Sequence, residues 1–273
     1  MLELPESKVN SFQANEILAK KKVVKLMQAT SPHKFAWYYG DPEEYHQLLV
    51  GRQVLFARGH GMFVDICCDN ETFITIGDGT NMKYLPSFEN IPQKYQLAIV
   101  FDKGDCVVFT VAMYGGIWAY KDTFDNKYHR GSFNSISPFE DSFNEQFFDN
   151  IFKSVRNDLS VKALLATEQR IPGLGNGVLQ DILFNCGLHP KRKMSTISDI
   201  EKSKLFYSLK NTLKTMAIDG GRDTEKDFLG HEGGYKTILS KKTIHCPCPK
   251  CHGNIIKEAY LGGSIYYCPV CQK

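Results

Sequence analysis

The sequence carries little excess charge of either sign, and no apolar run approaches the length of a membrane span. Its 33 lysines and arginines against 30 acidic residues give a net charge of +3, which permits a nucleic-acid partner without arguing for one. Basic clusters occur at residues 20–22, 191–193 and 241–242, but such runs are more often solvated surface. The first six residues are too acidic for a signal peptide, so we expect a cytoplasmic, nucleoid-associated protein with no membrane partner.

Several of the nine cysteines give no indication of disulfides. Cys67, Cys68, Cys106 and Cys186 lie in apolar, strand-like or helix-like contexts. This placement is typical of reduced core residues in a cytosolic protein.

The most informative pattern is a set of cysteines in two Cys-x-x-Cys pairs near the C-terminus: Cys248, Cys251, Cys268 and Cys271. Each pair places two thiolates on one turn, and four sulfur ligands suit a closed structural zinc site. The alternatives are disulfides or ordinary buried thiols, which the tight spacing disfavours, and an exchange of Cys248 for Cys246 as ligand. Apolar runs around Gly262-Gly263 predict a β-hairpin between the pairs.

Residues 1–130 predict a β-rich domain, because short apolar runs alternate there with turn signals. This regular spacing is typical of an antiparallel sandwich or barrel. One helix is predicted before the strands, from about Ser7 to Leu18, and polar residues 126–141 predict a linker. The runs that indicate strands lie at residues 54–56, 62–66, 72–76, 97–101 and 107–111.

From Phe139 to about Ala217 the apolar residues recur at three- and four-residue spacing, which predicts helices. Gly187 is expected to end one of them, and glycine-rich residues 218–245 predict a loop. The fold class is therefore α+β and multidomain. The expected domains are a sandwich at 1–130, a helical domain at 131–235 and a zinc hairpin at 236–273.

A glycine-rich turn at residues 171–177 separates two of the predicted helices. Gly173 and Gly175 allow close approach of the backbone, and Asn176 is placed at the N-cap of the next helix. Free amide groups at a helix start bind anions such as a DNA phosphate. The alternative is a tight interhelical turn with an asparagine cap, and the segment alone favours neither.

In combination these parts resemble the formamidopyrimidine-DNA glycosylase and endonuclease VIII family. The resemblance covers nearly the whole chain: a Glu-Leu-Pro-Glu start, a sandwich, a helix–two-turn–helix and a four-cysteine hairpin that ends in Cys-Gln. The most specific matches to the family motifs lie at residues 173–176, 182–184, 187–190 and 220–221.

The resemblance implies a monomeric two-domain clamp on double-stranded, damaged DNA that rotates the target nucleotide out of the stack. Phosphates would be held by the turn of Gly173, Gly175 and Asn176 and by the zinc hairpin. In the family, the amine of an N-terminal proline attacks the sugar C1′, and a neighbouring glutamate moves protons.

At the catalytic position the chain departs from the family, because Leu2 stands where the proline is expected. Leucine is too large for removal of the initiator methionine, so Met1 is expected to stay and to leave the free amine one residue too early. Glu3 matches the family glutamate and could activate a water for glycosidic hydrolysis. The resemblance therefore implies a weakened or altered lyase activity. Without the resemblance, Glu3 would be interpreted as a surface or helix-capping acid.

Other departures lie at positions that the resemblance assigns to DNA. Arg58 is retained, but His60 replaces a phosphate-binding lysine, and Asp78 replaces the methionine that fills the gap left by the flipped base. Gly263 stands where the hairpin offers an arginine to phosphate. Tyr114 is the nearest candidate for the stacking wedge, unless it is a core or rim tyrosine.

Three functions remain open at this point. The first is a DNA glycosylase that uses Glu3, with reduced lyase activity. The second is a non-catalytic protein that recognises damaged DNA, which Leu2 favours. The third is a zinc-ribbon protein that binds structured RNA, which the predicted N-terminal sandwich disfavours.

Overall fold

The structure, a computed structural model, describes residues 2–155 and 158–273. Helix α1 (Leu4–Leu18) begins earlier than the predicted Ser7, because Glu3 takes the N-cap position and Pro5 fits the first turn. The strands that follow are, in chain order, β1 (Val23–Gln28), β2 (Ala36–Trp37), β3 (Val54–His60), β4 (Phe63–Cys68), β5 (Thr72–Ile76), β6 (Thr80–Leu85), β7 (Leu97–Phe101), β8 (Cys106–Val111) and β9 (Gly115–Lys121).

These strands form two sheets, with the orders β1-β7-β8-β6 and β2-β9-β5-β4-β3. Every pairing is antiparallel except the short parallel contact of β2 with β9. Alternate side chains of both sheets, such as Ile74 and Phe109, are buried in one core that also takes in helix α2 (Tyr45–Leu49). The predicted antiparallel sandwich is confirmed.

The helices of the second half are α3 (Lys127–Phe133), α4 (Glu145–Lys153), α5 (Val161–Ala166), α6 (Asn176–Cys186) and α7 (Asp199–Ile218). At the start of most of these helices a side chain accepts a hydrogen bond from a free backbone N–H. In α7, for example, the Ser198 hydroxyl accepts from the Glu201 N–H in a capping box. Gly187 ends α6 with φ 76°, as predicted. The linker predicted at residues 126–141 is wrong in part, because Asn126 caps α3 within it.

Strands β10 (Ile256–Tyr260) and β11 (Gly263–Tyr267) form the predicted C-terminal hairpin. Leu261 and Gly262 join them with φ of 48° and 73°, as a tight hairpin turn requires. Ile265 is fully buried, and the base of the hairpin packs on Phe184 of α6. The hairpin is therefore attached to the helical half.

The first turn of α1 joins the two halves of the molecule. Leu2 lies in the core of the sandwich, whereas Leu4 lies in the core of the helical half. Residues between Leu2 and Glu6 are therefore held from both sides. In the described parts of the chain, no helix combines the length and apolarity that crossing a membrane requires.

Candidate active site and nucleic-acid interface

Glu3 points its carboxylate at the start of helix α6. The Gly177 N–H donates to Oε1 and the Val178 N–H to Oε2, each at 2.8 Å. Gly175 lies so close that a Cβ there would overlap the carboxylate. Only 4% of the Glu3 side chain is exposed. The helix start is an anion site, and Glu3 occupies it.

Arg222 lies beside Glu3 and holds Glu6 as well. Its Nη2 is 2.7 Å from Glu6 Oε2, and its Nη1 is 3.4 Å from Glu3 Oε2. Gly177 makes room for this guanidinium, since a Cβ there would overlap Nη1. Burial raises the pKa of Glu3, while Arg222 and the two amide hydrogen bonds oppose the rise.

Leu2 is 5% exposed, and its side chain packs into the sandwich core. The expected retention of Met1 concerns a residue that lies outside the described part of the chain. Leu2 therefore contributes an apolar side chain to the core of the sandwich.

The predicted N-cap role of Asn176 is wrong, because Gly175 caps α6 and Asn176 is its first residue. The amides that were expected to meet a phosphate are also taken by Glu3. The Asn176 side chain instead donates from Nδ2 to the Ser264 carbonyl of the hairpin at 2.6 Å. Its Oδ1 is buried and accepts no hydrogen bond within the described residues.

Lys162 is a candidate that the sequence reasoning missed. It is buried at the start of α5, and its Nζ donates to the Tyr260 carbonyl at the hairpin tip. Burial is the one effect that shifts its pKa, which it lowers, and no acidic side chain among residues 2–155 and 158–273 contributes to the shift. A Cβ on Gly263 would lie 3.6 Å from Nζ. The sequence feature that could have identified Lys162 is its position as a lysine inside the apolar run 161–165.

Arg58 and His60 converge on buried Asp65 of β4. Arg58 Nε is 3.0 Å and His60 Nε2 is 3.2 Å from Asp65 Oδ2. The other ring nitrogen of His60 lies 3.1 Å from Ser132 Oγ. Arg58 is 35% exposed and covers the ring of Phe133 at 4.4 Å. Of Arg58 and His60, Arg58 is therefore the one accessible to a phosphate.

Asp65 also accepts from His129 Nε2 at 2.9 Å and from Thr75 Oγ1 at 2.7 Å. Burial raises the pKa of Asp65, but hydrogen bonds from His129 and His60 outweigh this and leave the pKa far below its usual value. The ligand atoms of Asp65 and the two histidines lie within 4.8 Å of one another, as in a metal site. Because the Arg58 guanidinium contacts the same carboxylate, the arrangement is a completed ion-pair network.

The four cysteines of the two Cys-x-x-Cys pairs come together as predicted. Their sulfur atoms all lie within 4.8 Å of one another, in an arrangement that could hold a metal ion. Cys248 Sγ is 3.8 Å from Cys271 Sγ, and Cys251 Sγ is 3.4 Å from Cys268 Sγ. Tetrahedral zinc with bonds of about 2.3 Å separates its sulfurs by roughly 3.8 Å. Cys246 is exposed and lies outside the cluster.

Asp78 lies in the turn between β5 and β6, where Tyr114 of the β8–β9 turn donates to its Oδ2 at 3.1 Å. A cavity of about 560 Å³ opens beside this turn. The cavity is lined by Leu2 and by residues of α1, β6, β8 and the 224–230 loop, among them Glu6, Thr80 and Glu225. A larger groove of about 1450 Å³, between α1 and α7, contains neither Glu3 nor Glu6.

Comparisons with known sequences agree with this geometry. No family model matches the chain. It is 25% identical over 237 residues to the formamidopyrimidine-DNA glycosylase of Carboxydothermus hydrogenoformans, covering 85% of both chains. The enzyme of the same name from Histophilus somni is 28% identical over 203 residues, or 72% of this chain and 73% of that protein. That of Prochlorococcus marinus is 31% identical over 67% of this chain and 64% of that protein.

Solved structures share the fold over nearly the whole length. The MutM (Fpg) protein from Thermus thermophilus superposes with a TM-score of 0.80 at 19% identity, covering 99% of this chain and 98% of that one. The Lactococcus lactis Fpg in complex with DNA containing an abasic site gives 0.84 at 19% identity, covering 99% of both. The predicted α+β fold is thus confirmed.

Proposed function

Because the chain belongs to the formamidopyrimidine-DNA glycosylase and endonuclease VIII family, we propose that it is a base-excision-repair glycosylase. It removes damaged bases from double-stranded DNA after rotating the nucleotide out of the stack. The observation that carries the proposal is the Glu3 carboxylate, fixed by two amides and Arg222 where the two halves meet. A fixed, desolvated carboxylate suits a reaction in which positive charge develops on the sugar.

The chemistry we propose is hydrolysis with weak or absent lyase activity. A Schiff-base route needs a free amine at C1′, and the expected retention of Met1 ahead of Leu2 makes the nitrogen at the family's proline position an amide. Glu3 then acts on the glycosidic bond as an acid/base group, and burial raises the pKa of its carboxyl against the opposing effects of Arg222 and the two amides.

Duplex DNA is proposed to contact the protein along one face of the helical half. Lys162 and Asn176 lie side by side at the tip of the hairpin, where a phosphate would supply the negative charge that Lys162 lacks. Gly173, Gly175 and Arg58 remain candidates for contact with the phosphates of the DNA. His60 faces Asp65, which also binds Arg58, so His60 would act by helping to position Arg58. A monomer in the nucleoid fits this role.

The bound metal is proposed to be one structural zinc ion. The cluster contains four cysteine sulfurs at tetrahedral separation and, within residues 2–155 and 158–273, no fifth ligand. Cys248, Cys251, Cys268 and Cys271 would therefore hold the ion in a closed site. The four cysteines would hold the ion at the base of the hairpin, which packs on Phe184 of α6. The hairpin turn at residues 261–263 lies beside Lys162.

A non-catalytic recognition protein is the second candidate, favoured by leucine at position 2, where the family has its proline. Both candidates predict binding to duplexes that weakens with salt, because phosphate contacts release counterions. They differ in whether a base leaves the DNA.

The Glu3→Gln variant tests the proposed chemistry on duplexes that carry oxidised, ring-opened or alkylated bases. We expect the wild type to release at least one of these bases and the variant to release it roughly 10²- to 10⁴-fold more slowly, with affinity for an uncleavable abasic analogue retained. Glu16→Gln, an exposed change on the same helix, should leave the rate unchanged. Tight wild-type binding without release from any duplex would support the recognition protein instead.

A further inference from the structure

The basic cluster at residues 191–193 contains one lysine whose ammonium group faces the C-terminal hairpin. Arg192 pairs with an acid of α7, and Lys193 donates to a backbone carbonyl just before α5. Lys191 instead reaches strand β10, where its Nζ lies 2.8 Å from Glu258 Oε2. Of the three side chains, that of Lys191 is therefore the one directed at the hairpin.

The segment that carries Lys191 is fixed beside Lys162. The Lys162 N–H donates to the Pro190 carbonyl at 3.1 Å, and the Val161 N–H donates to the Arg192 carbonyl at 2.9 Å. These two backbone hydrogen bonds hold the segment against the first residues of α5. The side chains of Lys162 and Lys191 consequently reach the same part of the hairpin.

Both lysines contact the ring of Tyr260 near the hairpin tip. Lys162 Nζ lies 5.7 Å and Lys191 Nζ lies 5.1 Å from the ring centroid. Tyr260 and Glu258 are two residues apart on β10, so their side chains lie on one face of the hairpin. Gly263 is opposite Tyr260 in the register and adds no side chain to that face. The two ammonium groups and one carboxylate therefore share one small surface.

This surface is accessible at Lys191. Its side chain is 38% exposed and that of Glu258 is 31% exposed, whereas Lys162 is buried. Hydrogen bonds from Lys191 and Tyr267 outweigh burial and lower the pKa of Glu258, so its carboxylate is charged at neutral pH. An exposed ion pair is weak, because water screens the charges and both side chains lose freedom. A phosphate can therefore take the place of Glu258 on Lys191.

We propose that Lys191 binds a phosphate of the duplex beside the one assigned to Lys162, and that Glu258 competes with the DNA for Lys191. The inference rests on the proposed duplex binding and extends it to a second lysine and to an acid that weakens the contact. An ammonium group forms charge-assisted hydrogen bonds with phosphate oxygens, and its binding releases counterions from the DNA. In the complex, the displaced Glu258 carboxylate lies close to negative charge and opposes binding.

A phosphate-binding role and a purely structural role of this ion pair predict different signs. If the pair anchors the hairpin, removal of either partner weakens DNA binding. If DNA displaces Glu258 from Lys191, removal of the lysine weakens binding, whereas removal of the carboxylate strengthens it. The sign of the Glu258→Gln effect therefore separates the two roles.

The test measures the affinity of the full chain for a duplex with an uncleavable abasic analogue, at salt concentrations from about 50 to 200 mM. Lys191→Gln is expected to weaken binding roughly three- to tenfold and to make the plot of log affinity against log salt shallower by about 0.9, as the loss of one phosphate contact requires. Glu258→Gln is expected to tighten binding by about two- to fivefold. Lys103→Gln and Glu89→Gln alter exposed residues of the sandwich and should leave both quantities unchanged.

Failure of the DNA interface and failure of this inference give different results. Wild-type protein that does not bind the duplex, or binds it without salt dependence, would overturn both. Salt-dependent wild-type binding with an unchanged slope in Lys191→Gln, or with unchanged or weaker binding in Glu258→Gln, would overturn the inference alone. Hydrogen exchange of residues 256–267 tests the structural role directly, since protection lost in either variant would show that the pair anchors the hairpin.

Discussion

Removing the proposed zinc ion from the four-cysteine cluster is expected to unfold the C-terminal hairpin while the sandwich stays folded. Structural zinc contributes about 10–16 kcal/mol of apparent binding free energy in small zinc domains, far more than the short apolar contacts of β10 and β11 could replace. The lost hairpin takes away the contacts of Lys162 and Asn176, so affinity for duplex DNA should fall roughly tenfold or more.

Metal analysis and hydrogen exchange measure this effect, with Cys251→Ser as the test and Cys246→Ser as the matched control. Cys251 lies in the cluster, whereas exposed Cys246 lies outside it. Cys251→Ser should lose stoichiometric zinc and the exchange protection of residues 256–267, and Cys246→Ser should keep both. Equal zinc content in the two variants would contradict the assigned ligand set.

Replacing Arg222 with methionine is expected to lower the free energy of unfolding by about 3–5 kcal/mol, because it leaves two buried carboxylates without their shared cation. Arg222 lowers the pKa of Glu3, so its removal raises that pKa further. The loss should therefore be largest at neutral pH and should shrink at acidic pH, where Glu3 is protonated in both proteins.

Urea unfolding of the wild type and of Arg222→Met at neutral and at acidic pH measures this loss of stability. Arg130→Met is the matched control, since Arg130 makes an exposed ion pair with Asp125 and should change the midpoint little. An Arg222→Met protein with wild-type stability at neutral pH would show that the carboxylates do not depend on this cation.

Much of the fold followed from local patterns in the sequence. The strands near residues 62–76 and 97–111 and the C-terminal hairpin were predictable because alternation and glycine turns act over a few residues. The family resemblance was confirmed by relatives that share 25–28% identity over most of the chain. Helix α3 was not predicted from the sequence, because its apolar residues are few and its start depends on one asparagine cap.

The hydrogen bonds and ion pairs that build the site could not be predicted from local patterns. Glu3 meets amides that lie 174 and 175 residues away in the chain, and Arg222 reaches Glu6 across 216 residues. Such pairs depend on how the two halves dock. For the same reason Asn176 was assigned to a phosphate, although the approach of Glu3 fills the helix start and turns Asn176 toward the hairpin.

The most direct test of the central claim is a borohydride-trapping experiment on the best-processed damaged duplex, with base release followed in parallel by mass spectrometry. Hydrolysis by a water molecule predicts free base without a covalent protein–DNA adduct, and loss of that release in Glu3→Gln. A trapped adduct formed at the rate of base release would contradict the account, because it would show that an amine of the chain attacks C1′.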